Sequence, residues 1–367
     1  MHCARANQGA ACFISLMLWG IGGGPAASQT VRGADIDDLF AAVERLEIGI
    51  PMNVAGRDPV RRHLAELSRE PCDQQAIADL GKALDAAGYR REAANAHIRF
   101  SATCGGHAAS LRAAANIFLK LSDYANAVAV ATDLIKLEPY NDNGFYLRAV
   151  AHNQGGSYQR AIDDYVTAIE LFGNKDRIAN VSYLGMARSY EKLGRFCDAV
   201  LPLQSWISLN PARNDTSQIR VIIDDYMKKG NCSLATGSEE TFPVPRQRKT
   251  VTLPVTINGI RGVFVLDTGA TLVALKKAFA QKASVVVDQA STVQLHTANG
   301  ITDGKLGRAA TIQLRSLQAK DVPIVVQDDA KATFGDGVDG LLGMSFLSRF
   351  KVTIDTQVVK ISNRQTK

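Results

Sequence analysis

The pattern of apolar and polar positions divides the chain into two parts. Between residues 74 and 230 the pattern repeats and predicts successive units of helix, turn and helix. From about residue 250 apolar and polar residues alternate over short runs, which is typical of half-buried β-strands. We therefore predict a multidomain protein in which an all-α part precedes an all-β part.

The helical part has an internal period. Four similar segments each end in an alanine, and these closing alanines lie 34, 34 and 38 residues apart, at Ala93, Ala127, Ala161 and Ala199. Small residues recur twelve positions earlier, at Gly81, Ala115, Ala149 and Ala187. This period resembles the tetratricopeptide repeat, and the alternative is a set of unrelated helices with chance spacing.

The resemblance implies a solenoid whose concave face binds a protein or peptide partner. The four extra residues of the last interval are expected to lengthen the loop around Gly173 to Asp176. A helix over Ser217 to Lys229 would cap the array. We place the repeats with this capping helix at 74–230 and a helical segment before them at 29–73.

The repeat model pairs the cysteines. Cys72 precedes the first helix of repeat one and Cys104 ends its second helix, so antiparallel helices bring the two together. Cys197 opens the second helix of the last repeat, and Cys232 lies just past the end of the capping helix, which should run antiparallel to that helix. We predict both disulfides, Cys72–Cys104 and Cys197–Cys232. The alternative for Cys104-Gly-Gly-His107, a metal site, has only two ligands, so no metal is expected.

The N-terminus reads as a secretory signal peptide. A weakly basic start leads into the apolar run Ala10 to Ile21, and Ala26-Ala27-Ser28 supplies small residues for cleavage. The run is too short to span a bilayer, and its alternative is a buried helix. We assign residues 1–28 to this signal and expect an exported, periplasmic protein with no stable membrane span after cleavage.

Composition narrows the partners. The chain of 367 residues has 46% hydrophobic and 21% charged residues and a formal net charge of +6, as an ordinary soluble protein does. Its basic residues after residue 250 are mostly scattered singly, without interleaved aromatic residues, so no nucleic acid is expected. Gly335 to Gly340 matches a dinucleotide pattern but lacks a strand, helix and strand unit around it, so no cofactor is expected.

Serine, glycine and proline mark residues 231–249 as a linker. The following 250–367 are predicted to form one small, closed antiparallel domain. Its first hairpin runs from Thr250 to Ile257, turns at Asn258-Gly259 and returns from Gly262 to Leu266.

Three motifs in this domain carry chemistry. Asp267-Thr268-Gly269-Ala270 follows the apolar strand Val263 to Leu266. Thr297-Ala298-Asn299-Gly300 lies in a polar hairpin, and Leu341-Leu342-Gly343 precedes a short apolar segment. In order and spacing the domain resembles the retropepsin-like aspartic proteases, and especially their bacterial members with one D-T-G-A turn per chain. On its own, the second motif, Thr297 to Gly300, is more often just a hairpin turn.

The resemblance implies a homodimeric aspartic endopeptidase. Asp267 from each of two protomers would form the water-activating dyad, with Thr268 and Gly269 joining the two turns. Ala270 and the four residues Thr297 to Gly300 would bind an extended protein or peptide substrate, and Leu341, Leu342 and Gly343 would support the turn. Asp355-Thr356-Gln357 lacks the glycine and is not taken as the second aspartate. The alternative is a periplasmic scaffold that binds peptides without cutting them.

Overall fold

The computed structural model describes residues 36–232, 235–245, 250–297, 300–328 and 334–363. The predicted signal peptide, residues 1–28, lies outside this range, as do Ala298 and Asn299 of the second motif. Within the range, helices occupy the first two thirds and strands the remainder, so the predicted order of an all-α part and an all-β part is confirmed. No helix in the described range has the length and apolar character needed to cross a membrane.

Three helices precede the repeats, and the second is a single short turn: α1 Ile36–Arg45, α2 Met52–Ala55 and α3 Val60–Arg69. The repeat region contains α4 Gln74–Ala86, α5 Arg90–Thr103, α6 Ala108–Lys120, α7 Tyr124–Leu137, α8 Asp142–Gln154, α9 Tyr158–Leu171, α10 Val181–Lys192, α11 Phe196–Leu209, α12 Pro211–Asn214 and α13 Ser217–Gly230. A 3-10 turn, Lys175–Arg177, lies between α9 and α10. Consecutive helices pack in pairs, and this part of the chain is a tetratricopeptide-like solenoid.

Backbone conformation explains the repeated sequence. Each similar segment begins with a residue of positive φ in the turn between paired helices: Gly88, Ser122, Gly156 and Gly194. Glycine adopts this conformation without strain, which accounts for its use in three of the four turns. The four closing alanines are all buried. Gly81 lies against the His97 ring, which a Cβ would meet, so the small position allows α4 and α5 to approach closely.

Both predicted disulfides are present, Cys72–Cys104 and Cys197–Cys232. The first joins the segment before α4 to the end of α5, and the second joins α11 to the segment after α13. Cys104 therefore cannot serve as a thiolate ligand beside His107, and the metal alternative for that motif is wrong.

The strands are β1 Ala235–Thr236, β2 Glu240–Pro243, β3 Thr252–Ile257, β4 Ile260–Leu266, β5 Val273–Lys276, β6 Val286–Val287, β7 Val293–Thr297, β8 Gly300–Leu314, β9 Leu317–Gln327, β10 Gly340–Leu342, β11 Phe350–Ile354 and β12 Val358–Asn363. Two short helices, α14 Lys277–Lys282 and α15 Met344–Leu347, lie among them. The hairpin of β3 and β4 turns at Asn258 and Gly259, both with positive φ, as the sequence predicts.

The larger sheet runs in the order β1-β9-β5-β10-β4-β3-β8-β6, with β7 paired to β8. An additional pairing of β8 with β9 closes it into a barrel. The prediction of a wholly antiparallel domain is wrong, because β10 pairs parallel with β4 and β5 pairs parallel with β9. Such partners are far apart in sequence, and the sequence pattern of a short strand does not encode its direction.

The segment 231–249 is not simply a linker. Its strand β1 pairs with β9, and β2 pairs with β12 in a separate sheet with β11. Glu240 accepts hydrogen bonds from the backbone and hydroxyl of Ser316, at 3.2 and 2.6 Å, and Phe242 is buried in the β core. The described part of this segment therefore attaches the solenoid directly to the barrel.

The solenoid and the barrel share an apolar core. Buried residues of α8 to α13 form one cluster with barrel residues Ala274, Val293, Leu295 and Val325. Beside this cluster, Arg308 of β8 donates two hydrogen bonds to Asp198 of α11, at 2.7 and 3.0 Å. Arg195 binds the same carboxylate at 2.7 Å. The two parts thus meet through packed side chains and a partly buried ion network.

We expect loss of the second disulfide to weaken the end of the solenoid. Replacing Cys197 and Cys232 by serine should lower the free energy of unfolding by about 2–4 kcal/mol, because the unfolded chain is no longer constrained. Urea unfolding followed by circular dichroism measures the change. An unfolding midpoint equal to that of the unreduced wild type would contradict the pairing.

Candidate active site

Strand β4 ends at Leu266 and delivers Asp267 into a turn at the end of the barrel. β10 runs parallel beside it, with Leu342 opposite Leu266. The Asp267 backbone N–H donates to the Leu342 carbonyl oxygen at 3.2 Å, so the pairing continues to the aspartate itself. The position of the aspartate therefore depends on the last motif of the domain.

The turn is held by its own aspartate. Asp267 Oδ1 accepts a hydrogen bond of 2.8 Å from the Gly269 backbone N–H. Asp267 is partly exposed, and Thr268 and Gly269 are exposed. Hydrogen bonding of this kind orients the carboxylate while one oxygen remains for other partners.

Gly269 is not required by the packing of its own chain. Among the described atoms beyond its immediate neighbours, a Cβ there would meet only Asp267 Oδ1, at 3.1 Å. Gly343, behind the turn, is different, because a Cβ there would meet the carbonyl oxygens of Leu272 and Ala270. The glycine at 343 therefore allows close packing within the chain. At Gly269, by contrast, most of the space that a side chain would occupy is open.

The Leu341-Leu342-Gly343 motif lies directly behind the turn, as its order in the sequence suggests. Leu341 pairs with Val265 on one side and Ala274 on the other, and Leu342 is fully buried. The following α15 continues the support, because the Met344 N–H donates to the Ala270 carbonyl at 2.8 Å. Gly335 to Gly340 leads into β10, so the strand, helix and strand unit of a dinucleotide site is absent at these described positions.

The hairpin of the second motif is formed by β7 and the start of β8. Thr297 pairs with Gly300, and its hydroxyl donates to the Gly300 carbonyl at 2.7 Å. Ala298 and Asn299, between these two residues, lie outside the described residues. Strand β7 of the hairpin lies on the side of the barrel that faces α9.

Two residues of the solenoid contact the turn, and motif reading of the sequence missed both. Glu170 Oε1, at the end of α9, accepts from the Thr271 backbone N–H at 3.1 Å. Lys175 Nζ donates to the Gly269 carbonyl at 3.2 Å and pairs with Glu170 Oε2 at 3.0 Å. Glu170 is buried, 5% exposed, and these partners offset the cost of burying its charge. The signal that could have found them is the lengthened last repeat interval, which holds Lys175.

The hairpin is also attached to the solenoid. The Gln294 backbone N–H donates to the Thr167 hydroxyl at 3.1 Å. Val293 and Leu295 of β7 are buried in the apolar cluster shared with Tyr165 and neighbouring helices. Helix α9 thus contacts both the aspartate turn and the hairpin.

An acidic group in the same interface has a shifted pKa. Burial raises the pKa of Asp163 on α9 to about 7, and the charges of Asp164 and of Asp288 in the barrel add to this effect. A hydrogen bond of 3.1 Å from Gln159 acts in the opposite direction. Asp163 is therefore a carboxyl group that ionises near neutral pH while the two parts are packed together.

Substitution of Gly343 tests the packing behind the turn. Gly343→Ala should lower the free energy of unfolding by about 1–3 kcal/mol, because its methyl group meets backbone oxygens that cannot move away easily. Urea unfolding measures the loss. Gly173→Ala is the matched control, since a Cβ there meets no described atom within 4 Å, and equal losses in both variants would contradict the interpretation.

The pKa of Asp163 predicts a dependence of stability on pH. A carboxyl whose pKa is higher in the folded than in the unfolded chain makes stability fall as pH rises from its ordinary value of 3.8 to about 7. Asp163→Asn removes this loss, so the variant should gain on the wild type across that range, by roughly 1–3 kcal/mol at neutral pH. Thermal unfolding at pH 4.5 and 7.5 measures it. The exposed Asp133→Asn is the control, and a gain for Asp163→Asn that does not vary with pH would contradict the assignment.

Comparison with known proteins bears on both parts of the chain. None of the curated proteins matches it. Among solved structures, a retropepsin-like aspartic protease from Rickettsia conorii is 24% identical, with a TM-score of 0.27, covering 35% of this chain and 94% of that one. MamA from Desulfovibrio magneticus is 14% identical, with a TM-score of 0.36, covering 48% and 98%. The TPR2B domain of yeast Sti1, in a complex with pHsp70, is 27% identical, with a TM-score of 0.29, covering 34% and 95%.

A family model described as "Aspartyl protease" matches residues 253–346, about a quarter of the chain. The match begins in β3 and ends in α15, so it includes the Asp267 turn, the hairpin and Leu341-Leu342-Gly343. Over these residues the C-terminal part of this chain is therefore similar to the aspartyl proteases.

Proposed function

We propose that this protein is an exported aspartic endopeptidase whose active site forms between two protomers. The observation that carries the proposal is the placement of Asp267, which the pairing of β4 with β10 presents at the barrel end, partly exposed and oriented by the Gly269 N–H. A carboxylate held in this way can accept a proton from a bound water.

Aspartic proteolysis needs a second carboxylate that shares a proton with the first. Asp355-Thr356-Gln357 does not supply it. That triplet lies between β11 and β12, in the separate sheet, where Asp355 Oδ1 accepts from the backbone of Gln357 and Val358. These hydrogen bonds lower the pKa of Asp355 and account for its role in the turn. The second carboxylate in our proposal is therefore Asp267 of another protomer.

The exposed part of the turn is suited to such a partner. Thr268 and Gly269 lie at the surface, and Gly269 leaves space that its own chain does not fill. When two turns meet, like charges a short distance apart keep one carboxyl protonated. The charged carboxylate activates water for attack on the peptide carbonyl, and the protonated one donates to the developing oxyanion.

Substrate would lie between the turn and the hairpin of Thr297, Ala298, Asn299 and Gly300. An extended peptide is the expected form, because backbone groups of a turn and of a hairpin bind strand-like segments through main-chain hydrogen bonds. Ala270 would line the same cleft. The two disulfides support an oxidising compartment and so an exported, periplasmic location.

A second candidate function is a scaffold that binds peptides without cleaving them. The observation in its favour is the helical solenoid, an architecture whose extended concave surface commonly binds peptides. The retained carboxylate at 267 favours the enzyme, because peptide binding alone does not require it.

Replacement of the aspartate separates the two candidates. The wild type should cleave an unfolded protein at acidic to neutral pH, and Asp267→Asn should reduce the rate at least about 100-fold, since asparagine cannot accept the proton. Mass spectrometry of the products and light scattering for oligomeric state provide the readouts. Asp355→Asn, in the similar triplet, is the matched control and should retain activity. A folded, dimeric wild type as inert as Asp267→Asn would refute the enzyme.

A further inference from the structure

The side chains that contact the aspartate turn come from the solenoid of the same chain. Gly269 and Thr271 lie two residues apart and present a carbonyl oxygen and an N–H beside Asp267. One residue of an extended peptide can bind both groups, as in a parallel strand pair. Its N–H donates to the Gly269 carbonyl oxygen, and its own carbonyl oxygen accepts from the Thr271 N–H. Here Lys175 takes the oxygen and Glu170 takes the N–H. The ion pair therefore uses the groups that a bound peptide would need.

The opposite side of the cleft is occupied too. The hairpin strand β7 has Val293 and Leu295 buried in the core shared with α9, and the Gln294 N–H is bonded to Thr167. On β8, Ile301 packs against the buried Phe145, Ala168 and Leu171. A hairpin fixed in this way cannot lift to admit a chain until these contacts separate.

The region that makes these contacts departs from the repeat. The last interval between closing alanines is 38 residues instead of 34, and the extra residues lie in the loop after α9. That loop forms the 3-10 turn that begins at Lys175. The other repeats lack this extension, so the deviation from the period coincides with the contact to the aspartate turn.

On the basis of the proposed function, we propose that the solenoid is a built-in inhibitor, in which α9 and the loop after it occupy the substrate cleft of the chain's own protease domain. Peptide substrate enters only when α9 moves away from the turn and the hairpin. The partner of this face of the solenoid is thus the protease domain itself.

The contacts are of a kind that can separate. Glu170 and Lys175 both belong to the solenoid, so they remain paired when the solenoid and the barrel separate. Water then takes the place of the Thr271 N–H and the Gly269 carbonyl as their hydrogen-bond partners. Asp198 likewise keeps Arg195 when Arg308 leaves, and Arg308 keeps Asp321. Each of these charged side chains therefore keeps a partner on its own side of the interface, and the masked state is held by packing and a few hydrogen bonds.

Two variants unmask the site in different ways. Glu170→Leu with Lys175→Met frees Gly269 and Thr271, and exchange of a buried ion pair for apolar side chains of similar size usually preserves folding. Arg308→Met weakens the interface at α11, away from the turn. Both full-length variants should cleave unfolded protein about tenfold faster than wild type, the factor expected for losing a charge-assisted hydrogen bond. Lys136→Met, at an exposed ion pair on α7, is the control and should not change the rate.

An increase or a decrease in the cleavage rate decides whether α9 masks the cleft or supports the aspartate turn. If both variants are folded but cleave more slowly than wild type or equally fast, α9 does not mask the cleft and the inference is overturned. Loss of activity in the Glu170 and Lys175 variant alone would assign the pair to positioning of the turn, which also overturns it.

A binding measurement keeps the inference testable if no cleavage is seen. In an Asp267→Asn background, a fluorescent extended decapeptide should bind the two unmasked variants about tenfold more tightly than the parent chain, as measured by anisotropy. Equal or weaker binding would overturn the masking. If the unmasked variants with Asp267 intact do not cleave, while their Asp267→Asn forms bind the decapeptide more tightly than the parent chain, the proteolytic function is refuted and the masking stands.

Discussion

The insertion of β10 between β4 and β5 is the constraint on which the site depends. It sets Leu342 beside Leu266 and extends a hydrogen bond to the Asp267 backbone. Such close approach requires Gly340 and Gly343, since a Cβ at either would meet backbone oxygens of the segment 270–274. A carboxylate at the end of an isolated hairpin would have no fixed direction, and the parallel third strand supplies it.

The same constraint connects the aspartate to the solenoid. Because the turn is rigid, Gly269 and Thr271 present backbone groups at fixed positions, and the end of α9 meets them with Glu170 and Lys175. The apolar cluster shared by helices α8 to α11 and α13 and the barrel packs the two parts against each other. The solenoid is therefore more than an attachment for outside partners, since its helix α9 contacts both the aspartate turn and the hairpin.

Much of the fold was predictable because it is encoded locally. The period of the closing alanines located the helix pairs, and the pairs in turn brought Cys72 to Cys104 and Cys197 to Cys232. The Asn258-Gly259 turn and the apolar strand before Asp267 were equally readable. The parallel direction of β10 and the two strands within residues 231–249 were not, because their partners lie far along the chain and a strand of two to four residues carries no signal of its direction or partner.

The sequence by itself determined the candidate motifs and most of the elements that hold them, since motifs, turns and helix periods depend on neighbours within a few tens of residues. Tertiary structure alone decided what surrounds Asp267. Contacts such as Glu170 with Thr271 join residues about a hundred positions apart, and they arise from how an apolar helix face and a barrel side exclude water together. Such complementarity is a property of the two assembled surfaces, and the sequence of neither the solenoid nor the barrel predicts it alone.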